Sequence, residues 1–360
     1  MPVPRRDLDQ TRERLTGWLR QRLPEARALE VSPLAGPAAT GFSNDTLLFE
    51  LGYQQDGRRI TRGLVCRIQP IGFAVFPRYD VAQQYRVMDA LRGSPVPVPE
   101  VLWLEPDPAI LGAPFFVMER VEGRIPTDNP PYHAGGWLTE VEPAERRALW
   151  HAAVDALAAI HRQDPVALGL DFLDAPPLGA DTIAWQIEHW SRYYEWVAAG
   201  RRQPTLDAAL AWLRAHVPRD DGAPRLCWGD ARIGNMIFAG GRCRAVLDWE
   251  MATLGPPEMD LGWFLYMDRH HGEGVGAARL PGFPERQETV ARWEAAALRT
   301  ARDLAFWEAF AGFRFAAILA RVAEQMIQLG VLPADSTFAV DNTASRLLAR
   351  VLDLPPPGAS

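Results

Sequence analysis

The sequence predicts an α+β fold in two parts, a small sheet-plus-helix lobe followed by a larger, mainly helical lobe. Three observations carry this expectation. The stretch TLLFELGYQQDGRRITRGLVCRIQP sets strand-forming residues on either side of Asp56-Gly57, a dipeptide suited to a two-residue hairpin turn. PFFVMERVEGR reads as a buried strand running out into a connector near Gly123. Beyond it the helical period dominates. The division places an N-terminal lobe at 1–119 and a C-terminal lobe at 120–360. A chain of 360 residues, 48% of them apolar, supplies enough core for both.

The first element, from about residue 8 to 27, sets Leu15, Trp18, Leu19 and Leu23 on one helical face. The hairpin follows. Next comes a helix carrying Val81, Tyr85, Met88 and Leu91, which must stop before SPVPVPEV because proline cannot continue it. In the second lobe, apolar residues recur at helical spacing over 143–162, 181–199, 203–217, 288–299 and 303–329. MIFAGGRCRAVLD sets two short strand-like runs around Gly240-Gly241, a second hairpin signal.

Composition excludes several classes. No apolar stretch approaches the roughly 18–20 residues of a membrane span, so no membrane partner is expected. The opening MPVPRRDLDQTRERLT is charged from its fifth residue, unlike a secretory leader. Three cysteines (Cys66, Cys227, Cys243) are too few for a disulfide framework, and both features point to a cytoplasmic protein. A net charge of −7 speaks against nucleic acid and allows a cationic small molecule. The 13 Trp come without a basic stripe, so they read as core rather than as a base-stacking platform. His270-His271 lacks companion ligands at zinc spacing, and the absence of Gly-x-Ser-x-Gly leaves a serine hydrolase without support. All 38 basic residues are Arg. Any task usually given to a lysine falls to another side chain here.

Chemistry concentrates in LCWGDARIGN, residues 226–235, and VLDWE, residues 246–250. Folding about Gly240-Gly241 places Asn235 opposite roughly residue 246, with Asp248 just beyond at the same end. An amide oxygen and a carboxylate can then converge on one Mg²⁺, a hard ion that takes few protein oxygens and leaves room for phosphate and water. Asp230, ahead of the loop, is free to accept a proton from an attacking hydroxyl. Taken alone, D-x4-N also occurs in ordinary polar turns. The hairpin ending in LDW and the further acid in PPEMDLGW set this occurrence apart.

Gly229-Asp230, Asn235, Asp248-Trp249-Glu250 and Asp260-Leu261 together resemble the core of the aminoglycoside phosphotransferase and choline kinase-like family. The likeness is to a bacterial branch carrying WGDARxGN and VLDWEM, and it runs from about residue 40 to 265. It implies a bilobal protein-kinase-like fold, Mg²⁺, and transfer of the γ-phosphate of ATP or GTP to a small-molecule hydroxyl. On the matching positions it implies Asp230 as catalytic base and Asn235 and Asp248 as metal ligands. Asp260 would brace the catalytic loop from a following helix.

Several positions depart from the family pattern. Trp228 stands where a His usually supports the loop; an indole keeps the packing and can donate one bond. Arg67 replaces the strand lysine that grips phosphates, and its guanidinium offers two donors; the alternative is a solvated strand residue. Gln84 takes the place of the helix glutamate that pairs with that lysine. Asp80, one turn back on the same face, is either a substitute charge or a helix-start acid. The phosphate loop would be ATGFSNDT, where Ser43 and Asn44 supply donors despite a single glycine. The connector FVMERVEG would offer backbone N–H and C=O groups to the purine at Glu119 and Val121.

The resulting expectation is a small-molecule O-phosphotransferase that takes a nucleoside triphosphate and a small hydroxylated acceptor, with aminoglycosides among the candidates. Two rivals stand beside it. One is a kinase of another hydroxylated metabolite or an acyl-CoA-type substrate. The other is a nucleotide-binding pseudokinase, to which Trp228, Arg67 and Gln84 lend support. Acids contacting the acceptor would come from Asp268, Glu308 and Glu324, and His161 reads as structural.

Overall fold

The computed structural model describes residues 6–36, 45–173, 181–219 and 222–358. The chain divides into two compact units, residues 1–92 with 98–122, and residues 93–97 with 123–360. Among the described residues, no helix is long and apolar enough to cross a membrane.

In the first unit, helix α1 (Leu8–Arg22) precedes strands β1 (Arg27–Val31), β2 (Asp45–Gln55) and β3 (Arg58–Ile68). Helix α2 (Val81–Ala90) and strands β4 (Val101–Glu105) and β5 (Phe115–Glu119) complete it. The strands form one antiparallel sheet in the order β1-β2-β3-β5-β4. Asp56 and Gly57 take φ of 52° and 72°, as the expected two-residue turn requires. Helix α1 ends earlier than its apolar pattern suggests, because Pro24 disfavours helical backbone at Leu23, and β1 uses the residues beyond.

Alternation along the strands sorts the two faces of the sheet. Phe49, Leu64, Cys66 and Phe115 join Leu15, Trp18 and Leu19 of α1 in one core. Arg67 sits between Thr46 and Phe116 in the register and so belongs to the opposite face. There the Tyr85 ring of α2 meets Phe116 at 6.2 Å.

The second unit is mainly helical. It begins with α3 (Pro143–His161), α4 (Thr182–Ala198) and α5 (Pro204–Ala215). Four short strands follow: β6 (Arg225–Cys227), β7 (Met236–Ala239), β8 (Arg242–Val246) and β9 (Thr253–Gly255). Helices α6 (Glu258–His271), α7 (Arg286–Ala297), α8 (Leu304–Gln328) and α9 (Thr343–Val351) close the unit. Strands β7 and β8 turn at Gly240 and Gly241, with φ of 59° and 70°, and pair Met236 with Val246; β6 pairs with β9.

Helices α6 and α8 pack closely on each other. A Cβ at Gly262 would lie 2.6 Å from the backbone of Trp307, so only glycine permits this approach. The pair brings Asp260 and Trp263 of α6 into the same core as Arg314 of α8.

Candidate active site

Strand β6 leads straight into Trp228-Gly229-Asp230. Gly229 has φ of +93°, and a Cβ there would fall 2.2 Å from the Met251 carbonyl oxygen, so the turn admits no side chain. The Trp228 and Gly229 N–H groups donate to the two oxygens of Asp260 at 2.5 and 2.9 Å. Asp260 is fully buried and would be costly without such partners. His161 supplies a third contact, Nε2 to Asp260 Oδ2 at 3.2 Å. Trp293 Nε1 donates to His161 Nδ1 at 3.0 Å, so the ring proton lies on Nε2 and points at the carboxylate. A ladder thus runs from α7 through α3 and α6 to the loop, and His161 belongs to it.

Three donors surround the Asp230 carboxylate. Trp263 Nε1 reaches Oδ1 at 2.9 Å, and Asn235 Nδ2 reaches Oδ2 at 2.7 Å. Arg232 Nε is shared between both oxygens at 3.1 and 3.0 Å. These make four contacts, two on each oxygen, and the Asp230 side chain still keeps 17% of its surface exposed. The far end of Arg232 pairs with Asp128, whose other oxygen lies 3.4 Å from His271 Nε2. Burial pulls the Arg232 guanidinium down, but Asp128 and Asp230 more than reverse this and hold it charged.

Asn235 also ties the loop to the second hairpin. Its carbonyl accepts from Leu247 N–H at 2.9 Å, one residue beyond the partner expected from the turn. Because Nδ2 faces Asp230, the amide oxygen of Asn235 is directed elsewhere. Asp248 follows Leu247 in left-handed backbone, φ 59°. The Trp228 indole donates to the carbonyls of Leu247 and Asp248 at 2.8 and 3.2 Å. Trp228 therefore joins the two segments that carry Asp230 and Asp248. The Asn235 amide oxygen and the Asp248 carboxylate are hard donors, a set that fits Mg²⁺. Among the described residues no three His, Cys, Asp or Glu side chains gather as a softer metal centre would need.

The candidate nucleotide residues of the first unit are engaged differently. Ser43 and Asn44 lie outside the described residues. Arg67 is half-buried on β3, and Gln84 is buried within α2. Asp80 caps α2, with its Oδ1 accepting from Gln83 N–H at 3.0 Å. The Glu119 carboxylate accepts from Arg62 Nε at 2.6 Å. The Glu119 N–H donates to the Glu100 carbonyl at 2.9 Å, as sheet pairing requires. Val121, two residues on, is half-buried.

The acids expected to meet the acceptor are matched internally. Asp268 accepts from Tyr132 and Arg279 and lies 3.0 Å from His133 Nε2. Glu308 pairs with Arg286, and Glu324 with Arg201 and Arg321. Burial pushes the thiols of Cys66, Cys227 and Cys243 up, which argues against a cysteine nucleophile. Sequence reasoning missed Arg232, Asp128, Trp263 and Arg314. Trp263 lies three residues after Asp260 on one helical face, and Arg314 is a lone charge inside FAGFRFAAILA.

Residues 35–298 match the phosphotransferase enzyme family. Human acyl-CoA dehydrogenase family member 11 is 31% identical over 226 residues, which cover 62% of this chain and 26% of the human protein. Its Gallus gallus counterpart is 35% identical over 227 residues, covering 62% of this chain and 27% of that one. The chain thus spans about a quarter of the length of the curated relatives it matches. Among solved structures, a candidate aminoglycoside phosphotransferase from Ralstonia eutropha JMP134 superposes with a TM-score of 0.67 at 30% identity. It covers 94% of this chain and 95% of its own. Aminoglycoside phosphotransferase APH(4)-Ia, in a ternary complex with AMP-PNP and hygromycin B, shares the fold at TM-score 0.56 and 16% identity, over 94% and 98% of the two chains. A family match of this length, on a fold common to solved phosphotransferases, makes the conclusion plain: the chain belongs to the phosphotransferase enzyme family and has its protein-kinase-like fold.

Proposed function

We propose that the chain transfers the γ-phosphate of ATP, or of GTP in its place, to a hydroxyl group of a small molecule. The observation carrying this reading is the surround of Asp230, where three donors orient a carboxylate that is still partly exposed to an incoming hydroxyl. The acceptor oxygen attacks the γ-phosphorus, the bond to the β,γ-bridging oxygen breaks, and the nucleoside diphosphate leaves. The hydroxyl proton passes to Asp230. Because the transition state is loose, directing the hydroxyl counts for more than strong basicity.

Asn235 and Asp248 would hold Mg²⁺, which when bound neutralises charge on the transferred phosphate. Arg67 would grip phosphate oxygens with two donors, and Ser43 and Asn44 would add theirs. Gln84 would support Arg67 without an ion pair. The Glu119 carbonyl and the Val121 backbone would meet the purine. Asp80 serves the reading by starting α2. A cytoplasmic location, where nucleoside triphosphates are supplied, goes with the proposal.

Two acceptor classes follow. Aminoglycosides are suggested by relatives of the same fold, but a polycation needs unmatched carboxylates. Asp128, Asp268, Glu308 and Glu324 already have Arg or His partners. A hydroxylated acyl-CoA-type acceptor is the second reading, favoured by relatives named as acyl-CoA dehydrogenase family members. The test is a nucleotide-consumption screen against aminoglycosides, amino alcohols and hydroxyacyl-CoAs, with mass detection of phosphorylated product. Asp230→Asn should lower kcat by about a hundred- to ten-thousand-fold while nucleotide binding persists. Retention of most of the wild-type kcat would remove Asp230 from its role. Nucleotide binding without any phosphorylated product would favour the pseudokinase.

A further inference from the structure

Arg314 is 1% exposed in the middle of α8. Taking a guanidinium out of water is costly unless it is matched. Its partners are one carbonyl and three rings, none of them an acid. Nη2 donates to the Gly229 carbonyl at 3.0 Å, and the guanidinium carbon lies 4.5 Å from the ring centres of both Trp190 and Trp263. Phe310 stands at 5.6 Å. Among the described residues, Nε and Nη1 have no hydrogen-bond partner. Burial pushes the group down to about 10 against the opposing pull of the Asp260 and Asp230 charges, which leaves it charged at neutral pH. Contacts with the faces of two Trp rings offset part of the burial. A charge kept under such terms marks a place where stability has yielded to another requirement.

Its neighbours identify that requirement. The Gly229 carbonyl belongs to the peptide that leads into Asp230. Trp263, whose ring lies against the guanidinium, donates its own N–H to Asp230 Oδ1 at 2.9 Å. Arg314 therefore touches the peptide that leads into Asp230 and one of the three donors that aim its carboxylate. We propose that Arg314 is a positioning residue for Asp230, pinning the Gly229 carbonyl and the Trp263 ring from behind the loop. Its effect on turnover rests on the phosphotransfer reading; its hold on the loop does not.

The experiment compares Arg314→Met with wild type in amide exchange, thermal stability and kinetics. Replacing a buried charge by an apolar side chain of similar volume is often neutral or stabilising, so fold and positioning separate. The thermal midpoint should stay level or rise. Exchange in residues 226–236 should accelerate by about ten-fold or more while α6 and α8 keep their protection. In kinetics, kcat should fall by roughly ten- to a hundred-fold, with both KM values within about three-fold. Arg314→Lys, which keeps the charge, should recover part of kcat. Should Arg314→Met fail to fold, Arg314→Lys carries the same readouts with a smaller expected change.

The two readings fail separately. Faster loop exchange in Arg314→Met, with no acceptor phosphorylated even by wild type, would sink the phosphotransfer reading and leave the positioning role standing. Unchanged loop exchange overturns the inference, as does a kcat within about two-fold of an active wild type. Arg314 would then be a structural residue of α8 alone.

Discussion

Asp260 and Asp80 are both acids at the start of a helix, one in each unit of the chain, and they do different work. Asp260 is fully buried and takes two backbone N–H groups from a loop about thirty residues earlier in the chain, with His161 beneath it. Asp80 has 41% of its side chain exposed and caps the helix it begins. The same contrast separates the other candidates. Trp228, Asp230, Asn235 and Asp260 share one bonded network that also takes in the Asp248 carbonyl, whereas Glu119 pairs with Arg62 within its own sheet and Gln84 is buried in α2. A carboxylate that must meet a hydroxyl needs one direction, so its donors are fixed. Phosphates and purines can be met by backbone groups or by either kind of cationic side chain. On the proposed reading, an Arg can therefore do the phosphate work of a lysine, a residue the chain lacks.

The strongest way to break the comparison is Asp260→Ala. It orphans the Trp228 and Gly229 N–H groups and His161 Nε2 at once. Each buried group left unpaired costs about 1–3 kcal/mol, so a loss of roughly 3 kcal/mol or more is expected in urea unfolding, with activity gone. A loss under about 1 kcal/mol would mean that the loop is held by Trp228 and Arg314 without its acid.

Arg67→Ala asks whether the first unit holds a chemical residue at all. A lost charge-assisted contact is worth about 1.5–3 kcal/mol, or roughly ten- to a hundred-fold in kcat/KM for the nucleotide. Arg67→Lys should restore part of it, keeping the charge and losing the fork. Constants within about two-fold of wild type would make Arg67 an ordinary half-buried strand residue.

The histidines of the second unit sharpen the contrast through pH. His161 is bonded on both nitrogens, whereas His270 Nδ1 has no hydrogen-bond partner among the described residues. Burial pushes His270 down to about 4 and moves His271 the same way. The unfolded chain takes up a proton below about pH 6.5 and the folded one does not, so stability is full above that pH and falls towards pH 4. At pH 5 His270 alone should lower unfolding free energy by about 2 kcal/mol relative to pH 7. His270→Phe should flatten this slope. An identical slope in that variant would assign the acid sensitivity to other groups.

Much of the second unit's site was legible because its information is local. The motif spacing and the Gly240-Gly241 turn placed Asn235 within one residue of its true partner, Leu247. Helical periods marked α3, α4, α5, α7 and α8 to within a few residues. Strands β1 and β4 were not read, because five residues near Pro24 and Pro99 carry too short an alternation. Trp263 and Arg314 were not read as site residues because their contact depends on how closely α6 and α8 approach at Gly262. No period in either helix encodes that. In the first unit, Asp80 admitted two readings, and the choice lies in backbone geometry: φ of −142° at Asp80 with its Oδ1 on Gln83 N–H.

That geometry sets the smallest prediction. An N-cap aspartate replaced by alanine leaves one helix-end donor unsatisfied and costs about 1 kcal/mol. If Asp80 does no more than cap α2, Asp80→Ala should lower stability by that amount. Asp80→Ser, which restores a capping oxygen without charge, should recover most of it. The nucleotide KM should then stay within about two-fold in Asp80→Ser, because Arg67 never depended on this carboxylate. If Asp80 also supplies the charge that Gln84 lacks, the two properties separate. Asp80→Ser would fold as well as wild type and yet lose several-fold in nucleotide affinity, a loss that high salt should partly mask in both proteins. Measuring stability and nucleotide binding on the same two variants therefore decides whether the first unit hides one remote electrostatic contact of the kind that Asp260 and Arg314 supply in the second.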